Sequence, residues 1–364
     1  MCEMNHENQV EHNIQPVGNG NNHLLAAHAA GNDEYFTEYD TISNEVSHYR
    51  DQMSGQVVYC NCDDPSWSNF WKYFHSNFAS LGLKKLISTH YAKDCQESYA
   101  LIYKGGDDFN MDAGQIITVR GNDNFSAGDF RSEDCLKLLA ESTVVCTNPP
   151  FSLFRQYLSQ LIASGKKFLI LGNQNVSTTK DVFPLLKNNN VWYGASIHSG
   201  GVDFRIPDDY EEYSNNVFIK NGHHYINLAG IRWFTNMDVK YRHDGLWHRN
   251  GVFDQTQAHK YYEGNELNYP NCDNYVAINV NATKDIPIDY SGVMAVPITY
   301  LDKYSPLEFE ILGLTASWDE TDTMKTIKIS DKHRHNPIVN GKSIYRRLLI
   351  KNIAPIKRAE DLGY

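Results

Sequence analysis

Five consecutive residues, Thr147-Asn148-Pro149-Pro150-Phe151, concentrate the chemistry that this 364-residue chain can offer. They follow an apolar run, Val144-Val145-Cys146-Thr147, and precede a helical pattern over Leu153–Ile162. Two prolines in a row remove two N–H donors and fix two φ angles, so the backbone is rigid and its carbonyls point outward. Asn148 precedes a proline and is therefore extended. An amide, a main-chain carbonyl and an aromatic face are thus presented together at the end of a strand. That set suits a planar amino group, whose lone pair is delocalised into its ring. The Asn148 side-chain oxygen and the Pro149 backbone oxygen can hold the two hydrogens out of the ring plane, which frees the lone pair, while Phe151 stacks on the ring. Positioning and electrostatics then carry the rate. A plainer role is a Pro-Pro strand end whose Asn caps the next helix.

The elements around this segment alternate. Val57–Cys60 reads as a buried strand and Ser66–Leu81 as an amphipathic helix, with Trp67, Phe70, Trp71, Phe74 and Phe78 on one face. Leu86–Ser88 is a second strand, and Tyr99–Tyr103 with Ile116–Val119 an inserted hairpin. Ser132–Ala140 is a helix, and Phe168–Leu171 a strand ended by Gly172. The pattern predicts an α/β fold, a parallel sheet with helices on both faces that binds ligands at the carboxyl ends of its strands. Residues 1–32, rich in Asn and His, read as a disordered tail, 33–196 as the sheet domain, and 197–364 as an α+β region with long loops.

Composition narrows the setting. No apolar stretch approaches the ~20 residues of a membrane span, and the first ten residues carry no secretory signal. Seven cysteines, with no C-x-x-C pair, support neither a disulfide framework nor a zinc site, so an intracellular, reducing compartment and no metal are expected. The net charge of −11 is uneven: residues 1–50 hold eight acids against Arg50, whereas residues 324–358 hold ten basic residues against Asp331 alone. A chain acidic overall can still present a basic face to phosphates.

The segment resembles the catalytic motif of the class I S-adenosylmethionine-dependent amino-methyltransferases, and the chain from about residue 33 to 352 resembles the EcoRI-type adenine-specific DNA methyltransferases. Phe36-Thr37-Glu38-Tyr39, the run Val57–Asp64, Gly128-Asp129-Phe130 and Val296–Tyr304 carry the likeness beyond Asn148–Phe151. One departure stands out. Where most such enzymes have a glycine-rich loop after the first strand, this chain has Asn61-Cys62-Asp63-Asp64-Pro65.

The resemblance implies a Rossmann-like methyltransferase sheet plus a C-terminal target-recognition region. It implies S-adenosylmethionine as cofactor, with S-adenosylhomocysteine as product, and double-stranded DNA as partner, the protein being monomeric in solution. Asn148, Pro149, Pro150 and Phe151 would be catalytic. Tyr35, Phe36 and Thr37 would close over the methionine end, Asp63 would accept from the cofactor's ammonium or ribose hydroxyls, Asp129 with Phe130 would hold the adenine, and Asn61 and Asn148 would also contact the cofactor. Asp64-Pro65 equally suits a helix start, and Asp94 and Glu97 both fit a ribose contact. An adenine amino group cannot be reached inside a duplex, so the base would be flipped out. Arg346, Arg347 and Lys351, or Lys332 and Arg334, would meet phosphates. The stretch from Arg232 through Arg242 to Arg249, interleaving bases and aromatics, is the candidate for target recognition. The tetrapeptide alone equally fits an RNA base or protein glutamine methyltransferase, and a catalytically silent nucleic-acid binder is the alternative of another class.

Overall fold

The computed structural model describes residues 35–107, 110–207, 216–244, 246, 248–249, 252–253, 260–329 and 335–355. The expected tail, Lys332, Arg334 and the Arg249 side chain lie outside the described residues. The chain divides into two compact units, residues 1–173 with 199–237 and residues 174–198 with 238–364. Residues 199–237, grouped by composition with the C-terminal region, therefore belong to the first unit.

The first unit begins with β1 (Phe36–Thr37) and the Tyr39–Val46 helix. Its main sheet is built on β2 (Val57–Cys60), β3 (Lys85–Thr89), β4 (Glu97–Tyr103), β5 (Gln115–Arg120), β6 (Val144–Thr147) and β7 (Lys167–Asn173). The order is β5-β4-β3-β2-β6-β7, followed by the Ile231–Thr235 strand. The pairs β3–β2, β2–β6 and β6–β7 are parallel. The predicted hairpin extends this sheet, because β4 pairs antiparallel with β3 as well as with β5. Every residue of β2 and β6 is buried, as expected where both faces of a parallel strand are covered and the sequence becomes an unbroken apolar run. Ile231–Thr235 returns antiparallel to β7, placing Trp233 opposite Leu171. A second, antiparallel sheet joins β1 to Gly201–Arg205, His223–Ala229 and Val217–Lys220 in that order.

The helix after β2 is shorter than its periodicity predicts, Asn69–Ser76. The Asp64 side chain turns back onto the Ser66 N–H at 2.8 Å, and the helix starts only where Ser68 Oγ accepts from Phe70 N–H at 3.1 Å. Phe70, Trp71 and Phe74 are fully buried, but Trp67, before the cap, is 39% exposed. The helix before β7 runs Phe154–Ala163 and ends at Gly165, whose φ of +65° closes it. Gly172 does not end β7. It lies inside the strand because the helix crosses it closely: a Cβ there would sit 2.3 Å from the Phe154 ring. Gly172→Ala is expected to cost about 1–3 kcal/mol through overpacking, read as a lower urea midpoint with unchanged far-ultraviolet circular dichroism.

The second unit holds a four-stranded sheet in the order Ile278–Asn279, Val293–Val296, Leu348–Asn352, Phe309–Leu314. The first pair is parallel and the others antiparallel. Met324 and Ile327 of the Asp322–Ile327 helix pack with Tyr275, Ala295 and Leu349 beneath it. Among the described residues no helix is long and apolar enough to cross a membrane.

Candidate active site

In the first unit, a cleft of about 450 Å³ opens at the carboxyl ends of β2, β3 and β6, closed by the 128–131 loop and by Tyr35 and Phe36. Asn148 lines it. Its Nδ2 donates to the Tyr35 carbonyl at 2.8 Å, while its Oδ1 is buried and has no hydrogen-bond partner among the described residues. A buried acceptor left unmatched costs free energy, and here one half of the same amide is anchored while the other half waits. Asn148 does not cap the following helix: Phe151–Leu153 forms a 3-10 turn, and the helix begins at Phe154 without a side-chain cap. Phe151 is held by two rings, Tyr35 at 5.6 Å and 26° and Phe204 of the second sheet at 6.2 Å and 81°. Pro150 lines the cleft; Pro149 is buried beneath it.

The expected cofactor residues divide by position. Tyr35, Phe36, Asn61, Asp63, Asp129 and Phe130 all line the cleft. Thr37 instead lies buried in β1, its carbonyl accepting from Asn69 Nδ2 at 2.8 Å. Asn61 is 1% exposed and its Nδ2 donor has no partner among the described residues. Burial pushes the Asp63 carboxyl up to about 7, against hydrogen bonds from Thr147, Ser68 and the Asn148 N–H. Burial also opposes ionisation of Asp64, but hydrogen bonds from His90 and Ser66 outweigh it and hold that carboxyl at about 2. Asp129 accepts from Arg131 Nε at 2.9 Å and Nη2 at 2.6 Å, a charge-assisted fork, and the guanidinium lies 4.6 Å over the Phe125 ring. Phe130 packs edge-on against Tyr157 at 4.9 Å.

Several cleft residues escaped the sequence reading, three of them with defined partners. His90, just past β3, donates through Nδ1 to Asp64 at 2.6 Å and stacks on Tyr99 at 5.2 Å, whose hydroxyl also donates to Asp64 at 3.0 Å. Its place at a strand's carboxyl end was the available signal. Arg131 adjoins the Asp129-Phe130 pair, and Trp67 packs edge-on against Phe36 at 4.4 Å. Of the two acids considered for a ribose contact, Asp94 sits in an exposed turn at φ +57°, and Glu97, itself exposed, faces Arg120 of the edge strand β5 at 3.4 Å.

Two of the arginines assigned to nucleic acid are structural, and that assignment is corrected. Arg232 is 3% exposed in the Ile231–Thr235 strand, with Nη1 donating to its neighbour's carbonyl at 2.7 Å. Arg242 is 7% exposed in the second unit, bonded to Asn189 Oδ1 at 2.7 Å and stacked 4.3 Å over Trp192. A phosphate contact needs a charge at the surface, and both side chains are buried, Arg242 against the rings of Trp192 and Tyr304. Arg346 and Arg347 are half-buried, donating to Thr178 O at 3.3 Å and Asn279 Oδ1 at 3.5 Å. Arg232→Ala is expected to destabilise the fold by about 3 kcal/mol, as loss of a buried bonded charge does. In nucleic-acid titrations the salt slope of binding should not change.

The family model described as "Adenine-specific methyltransferase EcoRI" matches residues 23–353. The type II methyltransferase M.EcoRI of Escherichia coli is 43% identical over 345 residues, 92% of this chain and 98% of that protein. M.MgeORF184P of Mycoplasma genitalium is 36% identical over 90% of this chain and 98% of its own length. M.MpnI of Mycoplasma pneumoniae is 35% identical over 89% and 96%. No solved structure matches. With a match this long laid over an anchored Asn-Pro-Pro-Phe segment, the chain belongs to the EcoRI family of adenine-specific methyltransferases.

Proposed function

We propose that this protein transfers the methyl group of S-adenosylmethionine to N6 of a flipped-out adenine in double-stranded DNA. The observation that carries the reading is the buried, unpartnered Oδ1 of Asn148, fixed by its Nδ2 bond to Tyr35. An acceptor held in that way is already oriented for one hydrogen of an amino group. The Pro149 carbonyl is the proposed acceptor for the second hydrogen, and the Phe151 ring, set by Tyr35 and Phe204, the proposed face for the base. Little reorganisation is then needed when charge develops on nitrogen. The proton leaves after attack, to water.

The cleft residues fit the cofactor. A buried donor without a partner, Asn61 Nδ2, and a paired carboxylate beside an aromatic, Asp129 with Phe130, suit a molecule bearing a carboxylate at one end and an aminopurine at the other. When bound, that molecule supplies an electrophilic methyl on sulfur. The parallel strands and their cleft support the reading of the first unit as the methyl-transfer sheet. The second unit, with the half-exposed Arg346 and Arg347, is the proposed target-recognition region. The relatives are named type II methyltransferases, which favours DNA over RNA as substrate.

Mass spectrometry of nucleosides after incubation with S-adenosylmethionine and unmethylated DNA, with RNA in parallel, tests the reaction. N6-methyladenine in DNA is expected. Methylation of RNA alone would overturn the substrate, and cofactor binding without product in either would overturn the reaction.

A further inference from the structure

We infer that Asp63 is a positioning residue, which fixes the catalytic Asn148 from the neighbouring strand rather than binding the methyl donor; the inference rests on the reaction proposed above. Asp63 lies just past β2 and is 5% exposed. Oδ1 accepts from Ser68 Oγ at 2.8 Å, and Oδ2 accepts from Thr147 Oγ1. The backbone N–H of Asn148 donates to the same carboxylate. Three of its roughly four acceptor positions are thus committed within the protein. The stitching continues on both sides: Cys62 N–H donates to Thr147 Oγ1 at 3.1 Å, and Ser88 Oγ of β3 donates to the Asp63 carbonyl.

The sheet explains why such a clamp is placed here. β2 and β6 are in register at Val58–Val144 and Tyr59–Val145. Beyond those pairs the two strand ends part toward the cleft, and the Asp63 carboxylate joins them. Asn148 is then held from two directions, its main chain by Asp63 and its side-chain Nδ2 by Tyr35. What is left over is Oδ1, the atom that must meet the substrate.

A clamp made by a carboxylate near pH 7 is sensitive to pH. Burial raises Asp63 to about 7. The groups facing it are Asp64 on its own loop, Cys60 and Cys62 at the end of β2, Cys146 of β6, and Tyr157 of the Phe154–Ala163 helix. The thiols and the phenol are pushed well above their ordinary values by burial and stay neutral, and Asp64, at about 2, stays charged. Asp63 is therefore the member of the group that changes charge near neutrality. Protonation removes an acceptor position, so transfer should rise with pH through about 7.

The test pairs a spectroscopic readout with kinetics. Carbonyl labelling of Thr and nitrogen labelling of Asn yields two amide signals, since Thr-Asn occurs only at 147–148 and 235–236, and Asn236→Asp tells them apart. The Asn148 amide is expected to shift across about pH 7 in the wild type and to stay still in Asp63→Asn. In single turnovers Asp63→Asn should slow transfer at saturating S-adenosylmethionine by about 100-fold, with its dissociation constant moving less than about threefold. An Asn148 amide indifferent to pH and to the substitution overturns the inference. So does a loss confined to cofactor affinity, which would make Asp63 a ligand of the donor. A wild type that methylates no DNA overturns the proposed reaction instead, and the amide still decides the role of Asp63. Should Asp63→Asn not fold, Thr147→Val is expected to slow transfer and Thr147→Ser to restore it; equal rates for the two overturn the clamp.

Discussion

Asn148→Asp should be about as inactive as Asn148→Ala, with transfer at saturating cofactor lower by about 10²–10³-fold, the usual cost of removing one preorganised polar group. On acceptor strength alone the opposite would hold, because a carboxylate oxygen accepts better than an amide oxygen. The geometry decides it. Nδ2 of Asn148 donates to the Tyr35 carbonyl at 2.8 Å, and a carboxylate would set a second acceptor against that carbonyl. The side chain must then turn away or take up a proton, and either change misplaces the oxygen proposed to meet the substrate. Rapid-quench measurement of labelled methyl transfer to DNA separates the possibilities. An Asp variant near wild-type rate would show that the anchor on Tyr35 is dispensable, and an Ala variant near wild-type rate would remove Asn148 from the chemistry.

Gly128→Ala should weaken S-adenosylmethionine binding by at least about tenfold, or roughly 1.4 kcal/mol, while Gly165→Ala leaves it unchanged. Both glycines have positive φ, +82° and +65°, so each substitution carries a backbone cost of about 1–2 kcal/mol. They differ in what surrounds them. A Cβ on Gly165 meets nothing within 4 Å, whereas one on Gly128 falls 2.0 Å from the His90 carbonyl oxygen. That oxygen belongs to backbone at the end of β3 and also accepts from Ser98 Oγ at 2.7 Å, so it cannot yield without shifting His90 and the loop bearing Asp129. Titration calorimetry on the two variants isolates contact from conformation. Equal losses would mean that only φ matters. Gly128 is the glycine among the described residues that line this cleft, whereas the Asn61–Pro65 loop has none.

Much of this was legible because burial writes itself into apolar pattern. Val57–Cys60 and Val144–Thr147 are unbroken runs since both faces of those strands are covered, and Ser132 caps the Glu133–Glu141 helix that its pattern announces. The double proline fixed where Asn148 must stand. Other features depend on register, which local pattern does not carry. His90 meets Asp64 and Tyr99 because its N–H pairs with the Tyr99 carbonyl at 3.0 Å across two strands. Arg232 and Arg242 look like surface cations in a list of residue types. In the fold one turns onto its own strand and the other onto an indole, and both are buried. The return of 199–237 to the first unit depends on a strand pairing antiparallel with β7, a long-range event with no local signal.

Cys62 lines the same cleft, half-buried beside Asp63. Burial and the neighbouring carboxylate push its thiol well above its ordinary value, so the sulfur stays protonated. A thiolate is a far better nucleophile than a thiol, and beside the sulfonium methyl proposed to bind here it would compete with the intended acceptor. The burial of that sulfur, with the carboxylate beside it, thus has a protective side: it would keep the protein from methylating itself.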